Sequence, residues 1–371
     1  MRPDNFKVLA INPGSTSTKF GIFTNEHLDR SWTVRHTDEE MAPFLNVPVL
    51  DQMSFRLDLI LGALDNGGIG ISDLSAVVGR GGKLHPLMSG TYRVNDVMLR
   101  ELKAAPRGEH ASNLGAILAN TIALRAGVDA FIVDPISVNE RSALACLSGS
   151  ALIERAGFCH ALNSKAVAKR FARERGQRYD ALRLIVAHLG GGVCISAHEG
   201  GLMVDVTDAQ EEGPFSVERS GTVPILQLIK LCFSGRYGQR QVERLFAGEG
   251  GIYSYIGTKD FREVERRMDA GDTKAKLVFL GMAYQVAKEI GAMAGVLKGK
   301  VDAVLVTGGI AHSERFVNEL KASIDWIAPV FLYPGEEELQ ALAEGVVRVL
   351  RGEESARTFD EERGFEAACS R

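Results

Sequence analysis

A short apolar strand, a tight turn and a second apolar strand occur twice in this chain, and this repetition limits the fold more than any other feature. The first copy has a strand at residues 6–11, a turn at 12–19 (NPGSTSTK) and an alternating segment at 19–23. The second has strands at 184–187 and 193–197 around three glycines at 190–192. Helical periodicities and further short strands follow each copy. The pattern predicts two related α/β lobes, and duplication of one ancestral unit is a hypothesis.

The length of the chain also predicts two domains, because single cores stop growing well below 371 residues. Two lobes imply a cleft between them. We expect helices over 53–64 and 114–124 and strands at 76–78 and 130–133 in the first lobe. In the second lobe we expect helices over 223–233 and 274–297, a strand at 301–306 and a helix from about 313. A last helix over 336–350 would be capped by Gly352.

Composition excludes several classes of partner. Hydrophobic residues make up 45% of the chain and charged residues 24%, and the formal net charge is −4. Scattered charges of both signs predict no binding to nucleic acid or to an anionic membrane, so small ligands are expected instead. We expect a cytoplasmic protein, because no signal-peptide pattern or charge-free membrane span is present. The five widely spaced cysteines indicate neither zinc nor disulfides.

The first turn, residues 12–19, carries groups that suit a phosphate. Its backbone N–H groups and four hydroxyls converge, and Lys19 adds a positive charge. It is not a Walker A loop, because the glycine and lysine spacing differs and a strand follows. An ordinary solvated hairpin turn is the alternative interpretation.

Two further glycine turns stand at the ends of predicted strands. The segment HLGGG (188–192) would let a backbone approach a ligand closely, and a bulged hairpin is its structural alternative. The segment TGGI (307–310) ends an apolar strand and precedes a helix, a place where open α/β sheets receive nucleotides. Three such turns together favour nucleotide binding.

Phosphoryl transfer also needs cations near the transferring group and acids to hold Mg²⁺. Arg80 lies in a glycine-rich loop (GRGG, 79–82), and Arg219 lies in an irregular segment (ERSG, 218–221). Asp134 ends a predicted strand, where it would either bind a metal or cap a turn. The acids at 336–338 open the last helix, where they would favour the helix dipole in any case.

Two histidines are candidates for the same site. His188 stands between a strand and a glycine turn, where it would either stabilise charge on a phosphoryl group or make one structural hydrogen bond. His110, in the segment GEHAS (108–112), is less decisive because loop histidines are common. The stripe of apolar residues between 277 and 288 has the spacing of a packed helix and indicates no cofactor.

Taken in order, these motifs resemble the acetate and butyrate kinase family, within the superfamily of sugar kinases, actin and Hsp70 chaperones. The resemblance spans nearly the whole chain and is stronger to the butyrate branch. Its motifs are NPGSTSTK (12–19), GRGG (79–82), SGTY (89–92), HALN (160–163), HLGGG (188–192), GPFS (213–216), ERSG (218–221), GGIY (250–253), GT (257–258), MAYQVAKEIGAM (282–293), TGGI (307–310) and YPGE (333–336).

The resemblance implies an α/β fold of two ribonuclease-H-like, actin-like lobes with an interlobe cleft. Its expected domains are residues 1–140 with 338–371, where the C-terminal helix packs back on the first lobe, and a nucleotide-binding lobe at 141–337. The implied reaction is direct in-line transfer from ATP to a short-chain or branched-chain fatty acid such as butyrate, giving an acyl phosphate and ADP. No general base is required, because the carboxylate is already ionised. A homo-oligomer is expected.

The resemblance also assigns expected roles to residues of this chain. Arg80 and Arg219 would bind the carboxylate and the transferring phosphoryl, His188 would contact that phosphoryl, and His110 would be a further active-site histidine. The expected Mg²⁺ residues are Asp134, Glu337 and Asn12. The expected ATP/ADP-binding residues are Asn12, Ser15, Ser17, Lys19, Gly190, Gly191, Gly192, Gly308, Gly309 and Ile310.

Two departures from the family pattern stand out. The segment after Asp134 reads PISVNE (135–140), where family members often carry further acids. Gly82 stands where acetate kinases have a bulkier residue, which would enlarge the acyl pocket and favour an acid longer than acetate. An acetate or propionate kinase is the nearest alternative, and a non-catalytic actin-like ATP-dependent switch is the alternative from another class.

Overall fold

The computed structural model describes residues 5–15, 17–44 and 47–360. Thr16 of the first turn, Cys369 and the rest of residues 361–371 lie outside this description. The chain divides into two compact units, Met1–Asn139 with Glu337–Arg371 and Glu140–Glu336. Within the described residues, no helix is long and apolar enough to cross a membrane.

The first unit begins with a three-stranded hairpin ribbon and continues with alternating helices and strands. Its elements up to residue 133 are β1 (Lys7–Pro13), β2 (Ser17–Thr24), β3 (His27–Arg35), α1 (Asp38–Met41), α2 (Met53–Asn66), β4 (Ala76–Arg80), β5 (Thr91–Arg93), α3 (Asp96–Ala104), α4 (Asn113–Ala126) and β6 (Asp129–Val133).

The second unit follows the same plan with more helices, after which the chain returns to the first unit. Its elements are α5 (Ala143–Cys146), α6 (Ala161–Glu174), β7 (Leu184–Leu189), β8 (Val193–Glu199), β9 (Leu202–Val206), α7 (Ile225–Cys232), α8 (Gln239–Phe246), α9 (Gly251–Ile256), α10 (Phe261–Asp269), α11 (Thr273–Val296), β10 (Ala303–Gly308), α12 (Glu314–Ile324) and β11 (Val330–Pro334). The returning elements are α13 (Glu338–Arg351) and β12 (Arg357–Thr358).

Five strands of the first sheet follow the topology of the whole second sheet, and the first sheet has β5 and β12 in addition. The first has the order β12-β5-β6-β4-β1-β2-β3, and the second has the order β11-β10-β7-β8-β9. In each, the opening strand pairs antiparallel with the next strand of its ribbon and parallel with a later strand, as β1 pairs with β2 and β4 and β7 pairs with β8 and β10. This arrangement confirms the predicted mixed α/β fold and agrees with the duplication hypothesis.

Helices cover both faces of each sheet, which explains why the central strands are almost continuously apolar. In β7, Ile185, Ala187 and Leu189 belong to the core under α11 and α12, whereas Leu184 and Val186 pack with α6. In the first unit, α2 and α4 pack with the β1–β2 core. Helix α13 packs on β1, β4 and β6.

Most of the expected elements are confirmed within one or two residues. The helices expected over 53–64, 114–124 and 274–297 are α2, α4 and α11, and the opening hairpin is β1 and β2. The last helix begins at Glu338, two residues later than expected, and ends at Arg351. Gly352 caps it, and its φ of 80° is the left-handed geometry that favours glycine.

A contact between two glycines brings α4 close to the strand that carries Arg80. An added Cβ on Gly79 would lie 2.1 Å from the carbonyl oxygen of Gly115, and a Cβ on Gly115 would lie 2.1 Å from the carbonyl oxygen of Arg80. Real Cβ atoms do not approach backbone oxygens so closely. Both positions therefore need glycine, and their contact fixes the end of β4 against the start of α4.

We expect the substitution Gly115→Ala to destabilise the protein by about 1–3 kcal/mol, because the added methyl group forces the helix away from β4. Denaturant unfolding measures the change. The control is Gly62→Ala in α2, where nothing lies within 4 Å of an added Cβ. The better helix propensity of alanine should make the Gly62→Ala protein more stable by about 0.5–1 kcal/mol. Equal stability of Gly115→Ala and the wild type would show that this packing contact is not required.

Candidate active site

A buried carboxylate joins the ends of two neighbouring strands in the first unit. Glu338, 2% exposed, opens α13, and its Oε2 accepts hydrogen bonds from Asn12 Nδ2 at 2.5 Å and from Arg80 Nη1 at 3.0 Å. Arg80 Nη1 also lies 3.4 Å from Asn12 Oδ1. Asn12 and Arg80 stand near the carboxyl ends of β1 and β4, which are paired in parallel. The structure therefore brings together two residues that the sequence predicted separately.

The acid in this cluster is Glu338, whereas the sequence analysis expected Glu337. Glu337 is exposed at the N-cap of α13. Of the three adjacent acids only Glu338 belongs to α13, and only Glu338 is buried. Glu338 shares its face with the buried residues Ala341, Leu342 and Gly345. That periodicity was visible in the sequence and is the signal that identifies Glu338.

The chemistry of this cluster fits Mg²⁺. Oε1 of Glu338 is buried and has no hydrogen-bond partner within the described part of the chain. Mg²⁺ prefers carboxylate and other hard oxygen ligands, and in nucleotide sites one or two carboxylates suffice because phosphates and waters complete the shell. No group of three or more His, Cys, Asp or Glu suited to a metal occurs among the described residues. A Glu338 site would therefore depend on the phosphates of a nucleotide.

Asp134 holds a neighbouring loop. It follows β6 with a φ of 38°, and its Oδ1 accepts hydrogen bonds from Ser89 Oγ at 2.6 Å and Gly90 N at 2.7 Å. A non-glycine residue with positive φ is strained and often marks a functional site. The bonds support the turn-holding interpretation of Asp134, while its metal-binding role stays a prediction.

His110 is held in one tautomer by local contacts. Its Nδ1 accepts a hydrogen bond from Ser112 N at 3.2 Å and lies 2.7 Å from Ser112 Oγ. Because Nδ1 is the acceptor of a backbone N–H group, the ring proton of a neutral His110 is on Nε2. The ring is half-buried, three residues before the start of α4.

The first predicted phosphate turn joins β1 to β2 and is closed by a hydrogen bond from Gly14 N to Ser17 O at 2.8 Å. Ser15 and Lys19 are exposed and Ser17 is half-buried. Lys19 pairs directly with Asn12 across the two strands, so both side chains lie on the same face of the sheet. The geometry is compatible with an anion held by hydroxyls and one ammonium group.

Two histidines stack in the second unit. His188, at the end of β7, is fully buried, and neither ring nitrogen has a hydrogen-bond partner in the described residues. Its Nε2 lies 3.3 Å from Glu336 Oε1. The ring of His160 stacks on it with centroids 3.8 Å apart and planes 11° apart. His188 is therefore a buried imidazole that faces the Glu336 carboxylate through Nε2 and keeps Nδ1 without a hydrogen-bond partner in the described residues.

His160 is a candidate that the sequence analysis did not assign to the site, although it noted the HALN motif. Its Nδ1 lies 3.3 Å from Cys194 Sγ. Burial raises the pKa of Cys194 to about 12, so that the group stays a neutral thiol at physiological pH. The sulfur in this contact is therefore a neutral thiol rather than a thiolate.

Arg219 lies over the second glycine turn. A Cβ added to Gly192 would be 2.3 Å from Arg219 Nη1 and 3.3 Å from His160 Cε1. Arg219 Nη1 donates to the carbonyl of Ala209 at 2.9 Å. Ser216 Oγ donates to Gly191 O at 2.6 Å and accepts from Arg219 N at 3.1 Å, which fixes the arginine to the turn.

The same turn also approaches His188, because a Cβ added to Gly190 would lie 3.3 Å from His188 Nε2. The structure thus brings Arg219, His188 and the glycines at 190–192 together, as the sequence predicted, and adds His160.

The third glycine turn lies at the same edge of the second sheet. Gly308 ends β10 with a φ of 89°, and an added Cβ would be 2.3 Å from Leu189 O at the end of the adjacent strand β7. Reciprocal backbone hydrogen bonds at 3.0 and 3.1 Å join Gly308 to Gly335. Gly309 has open space where a side chain would stand, and Ile310 is buried. An exposed backbone at a strand end suits a nucleotide, and the adenosine role stays a prediction.

Gly82 does not open a pocket, in contrast to the expectation from the sequence. A Cβ there would lie 2.4 Å from Asn113 Oδ1 and 2.6 Å from Asn113 Cα, at the start of α4. Asn113 Oδ1 also accepts a hydrogen bond from Lys83 N at 2.9 Å. The glycine lets α4 approach the loop after Arg80, so its small size is used for packing.

The fold is the one found in acetate and propionate kinases. One similar solved structure is an acetate kinase from Porphyromonas gingivalis, with a TM-score of 0.74, 19% identity and coverage of 92% of this chain and 99% of that chain. Another is a propionate kinase from Francisella tularensis, with a TM-score of 0.71, 18% identity and coverage of 91% of this chain and 98% of that chain. An acetate kinase from Entamoeba histolytica has a TM-score of 0.72 and 17% identity, with coverage of 91% of this chain and 98% of that chain. Residues 145–327, within the second unit, match the model of the acetokinase family, which supports membership of that family.

We expect Gly192→Ala to displace the guanidinium of Arg219, because the two cannot occupy the same space. Gly191→Ala is the matched control, since its added Cβ would lie 3.6 Å from the nearest atom, Glu218 Oε1, an ordinary contact. Crystal structures of the two variants measure the position of Arg219. An unmoved Arg219 in Gly192→Ala would contradict the close packing described above.

Proposed function

We propose that this protein is an ATP-dependent kinase of short-chain carboxylic acids, which transfers the γ-phosphoryl group of ATP to a carboxylate oxygen. The observation that carries the proposal is the cluster of Asn12, Arg80 and Glu338, because phosphoryl transfer needs a cation and a metal-binding acid at strand ends. The acetokinase match and the shared fold support the same chemistry.

In the first unit, Glu338 and Asn12 would hold Mg²⁺ together with the phosphates of the nucleotide. The metal there would neutralise charge on the phosphates. Arg80 keeps its guanidinium 3.0 Å from the Glu338 carboxylate, so it is oriented before a substrate arrives. Its Nε is buried with no hydrogen-bond partner in the described residues and remains available to a carboxylate oxygen.

In the second unit, the glycines at 190–192 and 308–309 would bind the nucleotide through exposed backbone. Arg219, held beside Gly192, would balance the negative charge that spreads over the transferring phosphoryl oxygens. His188 and the stacked His160 would donate hydrogen bonds to that group. The carboxylate oxygen forms a bond to the γ-phosphorus while the bond to the ADP oxygen breaks, so no proton moves and no base is needed.

The acyl group is the finer part of the proposal. The ordered motifs of the sequence favour butyrate or a branched acid of similar size, whereas the structural likenesses to acetate and propionate kinases support shorter acids. The packing of Gly82 against Asn113 removes the pocket argument for the longer acid. We retain butyrate as the proposed substrate on the motif resemblance, with acetate or propionate as the alternative.

We also retain the predictions of a cytoplasmic location and a homo-oligomer. The oligomer is supported by α7, which has no buried residue and exposes Ile225, Leu226 and Ile229, with Phe233 87% exposed just beyond it. Apolar surface of this kind commonly marks a protein interface.

A panel of acids tests the function. With ATP and Mg²⁺ present, acyl phosphate trapped as hydroxamate should form from butyrate or isobutyrate with a higher kcat/KM than from acetate or propionate. The reverse order would assign the protein to acetate or propionate, and no acyl phosphate from any acid would defeat the kinase proposal in favour of an actin-like switch.

The substitution Arg219→Ala tests the role of that arginine in the same assay, and Arg236→Ala is its matched control. Arg236 is exposed in the same unit, and its backbone N–H donates to Ser234 Oγ at 3.3 Å. Loss of the Arg219 charge should lower kcat by about 10²–10³-fold, whereas Arg236→Ala should keep wild-type turnover. Unchanged turnover in Arg219→Ala would contradict the assigned role of that residue.

A further inference from the structure

An arginine with no acidic partner lies directly behind the first phosphate turn. Arg56, in α2, is fully buried. Its Nη1 donates to Thr18 Oγ1 at 2.8 Å and to Ser17 O at 3.3 Å, at the beginning of β2. Its Nε and Nη2 donate to Gln52 Oε1 at 3.1 and 2.8 Å. All of these acceptors are neutral.

The positive charge of Arg56 is therefore uncompensated within the described residues. Burial lowers the pKa of Arg56 to about 10, which still leaves the side chain charged at neutral pH. A titratable group beside this arginine is His36, whose Nε2 lies 3.0 Å from Thr18 Oγ1. Burial and then the charge of Arg56 lower the pKa of His36, while the exposed carboxylate of Glu40 raises it. A buried charge without a counter-ion is costly, and groups whose pKa is perturbed by burial cluster at functional sites.

The surface in front of Arg56 is suited to an anion. The described residues of the turn include the exposed Ser15 and the half-buried Ser17, and Lys19 is exposed just beyond them on β2. Arg56 supports this turn from behind through Ser17 O and Thr18 Oγ1. Because Arg56 is fully buried, it would act on a bound anion through its field and through these two residues, without touching the anion.

We propose that Arg56 is a positioning residue for a phosphate bound beside Gly14, Ser15 and Ser17, and that the negative charge of this phosphate balances the buried guanidinium. The proposal deepens the proposed function, on which it rests for the identity of the ligand as a nucleotide phosphate. A purely structural brace is the alternative, in which the hydrogen bonds of Arg56 matter and its charge does not.

Two substitutions separate charge from hydrogen bonding. Arg56→Lys keeps the charge with fewer donors, and Arg56→Gln keeps an N–H donor without the charge. We measure the binding of ATP, inorganic phosphate and adenosine to the full chain by calorimetry at pH 7.5. Arg56→Gln should weaken the binding of ATP and phosphate about tenfold or more, since a nearby unit charge in protein contributes at this level. The affinities of Arg56→Lys should stay within about threefold of the wild-type values.

Adenosine is the internal control, because it carries no phosphate and its affinity should be the same in all three proteins. Equal ATP affinity of Arg56→Gln and the wild type would overturn the proposal. A parallel loss of ATP and adenosine affinity would assign Arg56 a structural role and overturn it as well.

The pH dependence of Arg56→Lys keeps the test decisive if Arg56→Gln fails to fold. A buried lysine loses its proton more readily than an exposed one. Phosphate and ATP affinity of Arg56→Lys should therefore fall between pH 7.5 and 9.5, while wild-type affinity changes little over the same range. Parallel pH profiles would contradict the role of the charge.

The two proposals fail in different ways. Wild-type protein that binds phosphate in an Arg56-dependent manner but forms no acyl phosphate would leave this inference standing and remove the kinase function. If the wild-type protein forms acyl phosphate and its ATP affinity does not depend on Arg56, the kinase function stands and this inference is removed. Binding of neither ATP nor phosphate would overturn both.

Discussion

The buried carboxylate of Glu338 is the interaction on which the organisation of the first unit depends. It joins the start of α13 to the ends of β1 and β4, and residue 338 is 326 positions from Asn12 along the chain. Removing one partner of a buried ion pair typically costs about 3–5 kcal/mol. The chain therefore keeps Arg80 and Glu338 together, and the same contact places an amide, a guanidinium and a carboxylate at one edge of the sheet.

Glycines play the corresponding part in the second unit. Gly192 leaves the space that the guanidinium of Arg219 occupies, and Gly308 lets β10 end against the last residue of β7. Because neither glycine has a side chain, the Arg219 guanidinium and the end of β10 can both lie close to the end of β7 and the turn that follows it. The two units thus share the topology of five strands and use different means of assembling their polar groups, an ion pair in the first and glycine packing in the second.

The sequence alone predicted the local parts of this structure well. Alternation and helical periodicity gave both hairpins and the long helices, because these depend on neighbouring residues. It predicted Glu337 as a metal-binding acid and did not predict the burial of Glu338, since that burial depends on which face of α13 packs on the sheet. The stacking of His160 on His188 and the packing of Gly82 against Asn113 were also missed, because they are contacts between residues distant in the chain.

The central proposal is that Glu338 is the acid that binds the metal, and the position of a bound metal tests it most directly. Crystals grown with Mn²⁺ and ADP, with diffraction data collected at the manganese absorption edge, give that position as an anomalous peak. We expect the peak beside the Glu338 carboxylate and expect it to be lost in Glu338→Gln. A peak beside Asp134 or Glu337, with none beside Glu338, would contradict the proposal.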